Sequence, residues 1–503
     1  MDPKKNEADI NIGLHCLHYV LPDPPFVSGH GALSALPPPP HDDADRISVL
    51  PDDILGNIVS RLPVKDGART AALSGRWRGV WRAAPLVLLD ADLLPAGRTG
   101  AGLKVSRAEA RSVAAAVTRI LAAHPGPLRC ARLVSCYVQD IPGLFARWLQ
   151  LLADKGVQEL VLVNRPWPAI VFLPATFFGM AATLTRLYLG AFSFPDLPDA
   201  LQFPHLRELG LCIVAIQNQT MDFILARCPV LEILCIQANA MLRCLNIVSR
   251  SLRCVQIIEG VDLDMVVQKA PHLERFIIWT CSARDGLHRR VKIGRAPALR
   301  LLGYLEPARH VLGIGNVVIK AGTRASPNTT VRSVRILALR VCFRFDSDAM
   351  MLPSFLRCFP NSSETDGPIG KLDVKFWQEA GAIECVQSYV KLMIFYGFQG
   401  MPSELSFLKY VLESARMLMK LVIVFSKGSF PSMAKANKKV KPPYAGTWAS
   451  KDCSVQLVES AHQAGDDKWL LNFESGSDFS TEDPFMCTTV WGSHPKAGKT
   501  GGY

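Results

Sequence analysis

The feature that most constrains the fold is a spacing of apolar residues that occurs seven times between residues 157 and 304. Each copy places apolar side chains at its first, fourth and sixth positions, and the first positions are 21 to 27 residues apart. The seven copies are Val157-Leu160-Leu162, Leu184-Leu187-Leu189, Leu206-Leu209-Leu211, Leu231-Leu234-Ile236, Leu252-Val255-Ile257, Leu273-Phe276-Ile278 and Leu299-Leu302-Tyr304. A period of this length is typical of proteins in which each repeat adds one strand and its connection to a stack.

Two further details favour stacked repeats. Four copies carry a proline two residues ahead of the first apolar position: Pro204, Pro229, Pro271 and Pro297. Helical periodicity lies between copies, at residues 220–227 and 263–270, so each repeat is predicted to be a strand plus a helix. The pattern resembles leucine-rich repeats, which implies a solenoid over residues 105–305 with its strands on the concave side. An ordinary α/β domain is the alternative, because the copies are irregular and lack the usual asparagine.

Three short helical patterns with clear stops follow one another in residues 45–90. Apolar residues recur at helical spacing from Ile54 to Leu62, and Pro63 ends this first helix because it lacks an amide hydrogen. Asp66 can cap a second helix and Ser74 a third. Helices this short cannot bury all their own apolar surface, so we expect part of the first stripe to face another protein.

These residues resemble the F-box in its plant form. The motif D-R-I-S-x-L-P-D-D-I-L spans Asp45–Leu55, L-P-x-K-D spans Leu62–Asp66, and L-S-x-R-W-R-x-x-W spans Leu73–Trp81. The departures are Gly67 and Gly75, each of which lowers helix propensity by about 1 kcal/mol and so affects local stability.

The resemblance implies that the F-box holds a Skp-type adaptor and, through it, a cullin-based ubiquitin ligase. The residues that it places in the adaptor-facing or adaptor-supporting set are Leu50, Pro51, Ile54, Leu62 and Trp77. The alternative is a helix-turn-helix that reads nucleic acid, supported by Arg76, Arg78 and Arg82. The F-box is favoured because those arginines alternate with tryptophans that a packed third helix explains.

A second resemblance covers residues 383–425, which resemble the FBD region that follows leucine-rich repeats in many plant F-box proteins. It implies a strand at Val390–Phe395, a glycine turn, and a helix opened by Glu404. Departures at Ser414 and Met419 affect the end of that helix. An unrelated strand and helix is the alternative.

The predicted fold class is therefore α/β: an N-terminal three-helix F-box, an irregular leucine-rich-repeat solenoid and a C-terminal α/β FBD-like region. The predicted segments are a proline-rich disordered lead-in over 1–44, the F-box over 45–90, the solenoid over 105–305, a loop-rich joint over 306–329, the FBD-like region over 330–430 and a flexible tail over 431–503.

Composition excludes little but agrees with an intracellular protein. The net charge is +12 over 503 residues and is spread along the chain, so nucleic-acid binding is not favoured. The fourteen cysteines show no C-x-x-C pair and lie mostly in apolar runs, which predicts a reducing compartment. Because no secretory signal or membrane span is found, we expect a nuclear or cytoplasmic protein. No catalytic, metal or dinucleotide motif is present, so we expect a non-catalytic protein without a cofactor.

The substrate face is predicted by strand alternation. Residues between and just after the buried apolar positions of each repeat point to the concave side, and this side carries Arg186, Tyr188, Glu208, Gln256, Arg275 and Trp279. Aromatic and arginine side chains often anchor a protein partner, so we expect these six to bind a protein substrate. Ile233, Ile258 and Ile277 also point outward, which leaves open that another element of the chain covers this face. A receptor for a small-molecule signal and a scaffold outside any ligase also stay open, and no motif identifies the substrate.

Overall fold

The computed structural model describes residues 21–22, 46–95, 105–165, 170–239, 241–258, 262–279, 288–307, 309–341, 346–362, 364–366, 374–440, 448–463 and 473–486. The lead-in predicted over residues 1–44 lies outside these residues except for Leu21 and Pro22. The chain divides into two compact units, the first made of residues 1–216 with 227–231 and the second of residues 217–226 with 232–503.

The helices are α1 Asp52–Val59, α2 Val64–Thr70, α3 Gly75–Ala83, α4 Arg107–Ala123, α5 Pro142–Asp154, α6 Asn218–Ala226, α7 Asp346–Cys358, α8 Val374–Ala380, α9 Glu384–Ser388, α10 Pro402–Ser414, α11 Met433–Val440 and α12 Phe473–Ser477, with 3-10 turns at Asp90–Leu93, Val138–Asp140 and Ala175–Met180. The strands are β1 Leu86–Leu89, β2 Leu128–Leu133, β3 Glu159–Val163, β4 Val171–Phe172, β5 Arg186–Gly190, β6 Phe192–Ser193, β7 Glu208–Cys212, β8 Ile233–Gln237, β9 Cys244–Val248, β10 Cys254–Ile258, β11 Asp264–Lys269, β12 Arg275–Ile278, β13 Arg289–Arg295, β14 Leu301–Leu305, β15 His310–Ile314, β16 Val317–Val318, β17 Ile336–Leu339, β18 Glu364–Asp366, β19 Leu392–Phe395, β20 Lys420–Lys427 and β21 Ser454–Gln463.

In the first unit the repeats stack as parallel strands in the order β1, β2, β3, β5, β7. The fourth positions of successive copies are in register, with Leu160 opposite Leu187 and Leu187 opposite Leu209. All three leucines are buried, so each copy packs its leucine on the next.

A buried carboxylate fixes the chain beyond β2. Asp90 accepts hydrogen bonds from the amides of Val134 and Ser135, at 2.8 and 2.7 Å. Burial raises the pKa of Asp90 to about 6, although these two donors and Arg165 act in the opposite direction. Asp90 therefore holds the residues that follow β2 by hydrogen bonds in a buried position.

In the second unit the parallel ladder runs through β8, β10, β12, β14, β17, β18, β19, β20 and β21. The seven predicted repeat strands are all present across the two units, which confirms the α/β repeat class. The ladder does not stop at residue 305, because Leu302 of β14 lies opposite Leu337 of β17. The FBD-like strands thus continue the repeat sheet.

The helix predicted over residues 263–270 is wrong. Residues 264–269 form β11, which joins β9, β13, β15 and β16 in a five-stranded sheet. Met265 and Val267 alternate inward and are buried, so strand alternation fits this stretch better than a helical stripe. The loop-rich joint over 306–329 also needs correction, since it contains β15 and β16.

The prediction of a flexible tail is wrong for its described residues. The ten-residue strand β21 pairs in parallel with β20, with Leu421 opposite Val455 and Ile423 opposite Leu457. Residues 473–486, which begin with α12, pack on the strands of their own unit, the second, through contacts described below. The boundaries of the predicted domains stay predictions.

Candidate functional site

The three F-box helices share one small core. Leu55 and Val59 of α1 pack with Trp77 and Val80 of α3 and with Ala84, and Leu50 and Trp81 lie against this cluster. Ser74 caps α3 by accepting a hydrogen bond from the amide of Trp77 at 3.3 Å. The helix therefore begins where the sequence predicts.

The opposite side of α1 leaves apolar side chains in solvent. Ile54 is 45% exposed and Ile58 is 38% exposed, although both belong to the stripe predicted from the sequence. The stripe therefore divides, with Leu55 and Val59 turned into the core and the two isoleucines turned out. Ile47, Val49 and Leu73 are exposed as well. Ile54 and Ile58 lie one turn apart on the same helix, and neighbouring exposed aliphatic side chains are typical of interaction surfaces. We call these five residues (Ile47, Val49, Ile54, Ile58 and Leu73) the F-box apolar set.

The five residues in the predicted adaptor set occupy three kinds of position. Pro51 and Ile54 are exposed, Leu50 and Leu62 are half-buried, and Trp77 is buried in the core with 9% of its surface exposed. Trp77 therefore supports the helices from inside. Of the F-box apolar set, the predicted adaptor set contains only Ile54. Ile58 could have been added from the sequence, because a residue four positions after Ile54 lies beside it on a helix.

Arg76 fixes the segment that precedes α1. Its guanidinium bonds Asp52 Oδ1 at 2.8 Å and also donates to the carbonyls of Ser48 and Leu50. One of the three arginines that support the nucleic-acid alternative thus holds the segment before α1 in place.

The six predicted substrate residues form two clusters, one in each unit. In the first unit Arg186 lies between two carboxylates, with its Nε 2.7 Å from Glu208 Oε2 and its Nη1 3.1 Å from Glu159 Oε2. The hydroxyl of Tyr188 donates to Glu208 Oε1 at 2.6 Å. Tyr188 and Glu208 are buried and Arg186 is half-buried, so this cluster offers one partly accessible arginine.

In the second unit Gln256, Arg275 and Trp279 share one side of the sheet, as strand alternation predicts. Of the two alternatives for this face, an open surface and one covered by another element of the chain, the second holds for these three residues. They are buried, and residues 473–486 of the same chain, the covering segment, lie over them. The surface beneath, which we call the Arg275 groove, is formed by Arg253, Cys254, Gln256, Arg275, Trp279 and Tyr304.

Arg275 holds the main chain of the covering segment. Its Nη1 donates to the carbonyls of Ser475, Gly476 and Asp478 at 3.0 to 3.1 Å, and its Nη2 donates to the carbonyl of Thr481. A guanidinium carries five N–H donors in a fixed plane, so one side chain can bind several carbonyls that converge on it.

Trp279 holds the aromatic side chains of the covering segment. Phe473 and Phe485 meet its ring edge-to-face at centroid distances of 5.4 and 5.7 Å. Its Nε1 donates to Gln256 Oε1 at 2.7 Å. Periodicity does not reveal the covering segment, because it lies some 200 residues beyond the groove in the sequence.

Within the described residues no cluster of three or more His, Cys, Asp or Glu side chains is placed to hold a metal ion. No helix among those residues combines the length and apolarity that crossing a bilayer requires. Eight of the ten described cysteines are buried and none of the ten forms a disulfide, and burial raises the pKa of Cys212 to about 12. Such thiols act as small apolar side chains.

Family models match three parts of the chain. The F-box domain model matches residues 47–87, the model of the leucine-rich repeats of FBD-associated F-box protein At5g56370 matches residues 145–364, and the FBD model matches residues 378–423.

Three curated relatives from Arabidopsis thaliana are similar to this chain. F-box/FBD/LRR-repeat protein At1g13570 is 25% identical over 333 residues, which cover 64% of this chain and 76% of the relative. F-box/LRR-repeat protein At1g48400 is 28% identical over 188 residues, 37% of this chain and 38% of that protein. F-box/FBD/LRR-repeat protein At5g22660 is 27% identical over 222 residues, which cover 42% of this chain and 45% of that protein. The chain thus spans less than half the length of the latter two.

Proposed function

Because this chain is an F-box protein of the plant F-box/leucine-rich-repeat/FBD type, we propose that it is the substrate-recognition subunit of an SCF-type ubiquitin ligase. In this role the F-box binds a Skp-type adaptor, the adaptor connects it to a cullin, and the repeats bind a protein substrate. Catalysis lies in the partners, and this chain acts by raising the concentration of substrate near the transferring enzyme.

The observation that supports this proposal best is the F-box apolar set. Ile54 and Ile58 lie one helical turn apart on α1, and their neighbours Leu55 and Val59 fix the helix by packing into the core. A rigid helix that presents branched aliphatic side chains fits a groove between partner helices. Pro51 and Leu50 extend this surface at the start of α1, while Leu62 and Trp77 support it.

The experiment is a binding titration between the full chain and a purified Skp-type adaptor. In the variant Ile54→Glu/Ile58→Glu, two charges replace side chains that lose water on binding. We expect affinity to fall by 2 kcal/mol or more, about thirtyfold or more. Since both residues are exposed, the thermal midpoint should stay near that of the parent.

Ile170→Glu is the matched control. Ile170 is 43% exposed and lies outside the F-box, so the same change of side chain there should leave adaptor affinity intact. An Ile54→Glu/Ile58→Glu variant that binds as tightly as the Ile170→Glu control would contradict the proposed adaptor face.

A further inference from the structure

The covering segment is acidic and the surface that it covers is basic. Residues 473–486 contain Glu474, Asp478, Glu482 and Asp483 and no lysine or arginine. A cavity of about 550 Å³ adjoins the segment at Phe479, Ser480 and Glu482. Its other walls include one carboxylate and four arginines: Glu274, Arg253, Arg275, Arg300 and Arg335. Opposite charges at such a contact select acidic partners and speed their approach.

The groove holds the segment through features that a separate peptide could supply equally well. Arg275 binds main-chain carbonyls, which every peptide has. The other attachments are aromatic: Phe473 and Phe485 at Trp279, and Phe479 beneath the Arg253 guanidinium at 3.9 Å from the ring centroid. Aromatic and arginine anchors in buried positions dominate the affinity of protein interfaces.

One position of the segment has no room for a Cβ unless Gln256 moves, and Gln256 is held by the hydrogen bond from Trp279 Nε1. A Cβ added at Gly476 would lie 2.2 Å from Gln256 Oε1 and 3.1 Å from Trp279 Cζ2. The Gly476 carbonyl also accepts from Arg275 and from the thiol of Cys254 at 3.4 Å. The groove therefore distinguishes a peptide with glycine at this point from one with a larger residue.

We propose that the Arg275 groove is a binding site for an acidic peptide with phenylalanine anchors and a glycine against Gln256 and Trp279, and that residues 473–486 occupy it as an internal ligand which such a partner displaces. This inference rests on the proposed function, because the partner peptide belongs to the protein that the ligase recognises. A tethered segment acts at an effective concentration on the order of millimolar. A partner must therefore bind the groove more tightly than the segment does, or arrive at high local concentration.

The test uses a fluorescent peptide with the sequence of residues 473–486 and the full chain with its internal copy displaced. In the variant Gly476→Leu the leucine cannot fit beside Gln256, while the groove keeps all its own side chains. We expect this variant to bind the labelled peptide at least tenfold more tightly than the parent does, by fluorescence anisotropy. Adding Arg275→Ala to Gly476→Leu should abolish that binding.

Three controls make the result decisive. Gly143→Leu makes the same change at an exposed position outside the segment, where an added Cβ meets nothing within 4 Å, and should bind the peptide no better than the parent. A labelled peptide that itself carries leucine in place of Gly476 should not bind. The variant Phe473→Ala/Phe485→Ala displaces the segment by a second route and should behave like Gly476→Leu.

Two outcomes would overturn the proposal. In one, both displaced variants keep the circular dichroism and thermal midpoint of the parent but do not bind the peptide, or bind it with the same affinity when Arg275→Ala is added. In the other, both displaced variants unfold, which would make the segment a permanent part of the core. Adaptor binding is measured on the same samples, so intact adaptor binding with either outcome would reject the groove while leaving the proposed function standing.

Discussion

Glu404 is a carboxyl group held in an unfavourable environment near the start of α10. It is fully buried and accepts hydrogen bonds from the amides of Gln399 at 3.2 Å and Met401 at 2.5 Å. Burial raises its pKa from 4.5 to about 7, although these donors act in the opposite direction. Between pH 4.5 and 7, Glu404 is therefore mostly protonated in the folded protein but mostly ionised in the unfolded chain.

Because the unfolded state binds fewer protons in that interval, the contribution of Glu404 to stability falls as pH rises from about 4.5 to 7, by about 3 kcal/mol. The Glu404→Gln variant stays neutral and should lack this fall. Urea unfolding of both proteins at pH 5, 6 and 7.5 measures the difference. Asp90, with a pKa of about 6, adds a fall of the same sign to both proteins, so only their difference reports on Glu404. Parallel curves would mean that Glu404 is ionised in the folded protein.

Gly210 gives a second prediction for a single residue. A Cβ there would lie 2.2 Å from the ring of Tyr188, which lies over Gly210 and donates its hydroxyl to Glu208. Gly210→Ala should therefore destabilise the first unit by roughly 1–3 kcal/mol, since overpacking forces the ring away. In a chain that already carries Tyr188→Ala the same change should have little effect, and a double-mutant cycle measures this coupling. Additive effects would show that the clash is relieved elsewhere.

Among the elements, α4 begins with a reciprocal cap. Ser106 Oγ accepts from the amide of Glu109 at 3.2 Å, and Glu109 Oε2 accepts from the amide of Ser106 at 2.8 Å. We predict that Ser106→Ala lowers stability by about 1 kcal/mol and Ser106→Gly by a few tenths. Chemical denaturation of the three proteins measures both values, and a loss from Ser106→Gly as large as that from Ser106→Ala would argue against the cap.

The sequence predicts elements well where the apolar pattern is unambiguous. Leu160, Leu187 and Leu209 each occupy the fourth position of a repeat, and each lies in a strand in register with the next. The helix prediction for the stretch that forms β11 fails because Leu263, Val266 and Val267 fit helical spacing, while Leu263, Met265 and Val267 fit strand alternation. Only the neighbouring β9 and β13 decide between them.

The same template also predicts strands that were not recognised as repeats. Val334-Leu337-Leu339, Val390-Met393-Phe395 and Leu418-Leu421-Ile423 fit its first, fourth and sixth positions, and β17, β19 and β20 form there. A change of composition near residue 331 hid this continuity. The candidate sites were harder to predict, since what buries Arg275 and Trp279 lies far along the chain, and periodicity gives no information on such long-range contacts.

For the molecule as a whole, the net charge of +12 provides a test between protein and nucleic-acid partners. The F-box apolar set is uncharged, so raising salt from 50 to 200 mM should change adaptor affinity by less than about threefold. Binding to nucleic acid through several phosphates would weaken by orders of magnitude over the same range. Titrations at four salt concentrations distinguish the two, and a steep slope for the adaptor complex would contradict an apolar interface.

The distance along the chain between the Arg275 groove and its covering segment has a consequence during synthesis. Arg275 and Ser475, which are joined by a hydrogen bond, are 200 residues apart. At about 5–20 residues per second, a ribosome needs roughly 10 to 40 s to make the intervening chain. Through that time every nascent molecule has made Arg275 and Trp279 but not yet the residues that cover them. An acidic peptide nearby therefore meets the groove before its own occupant exists.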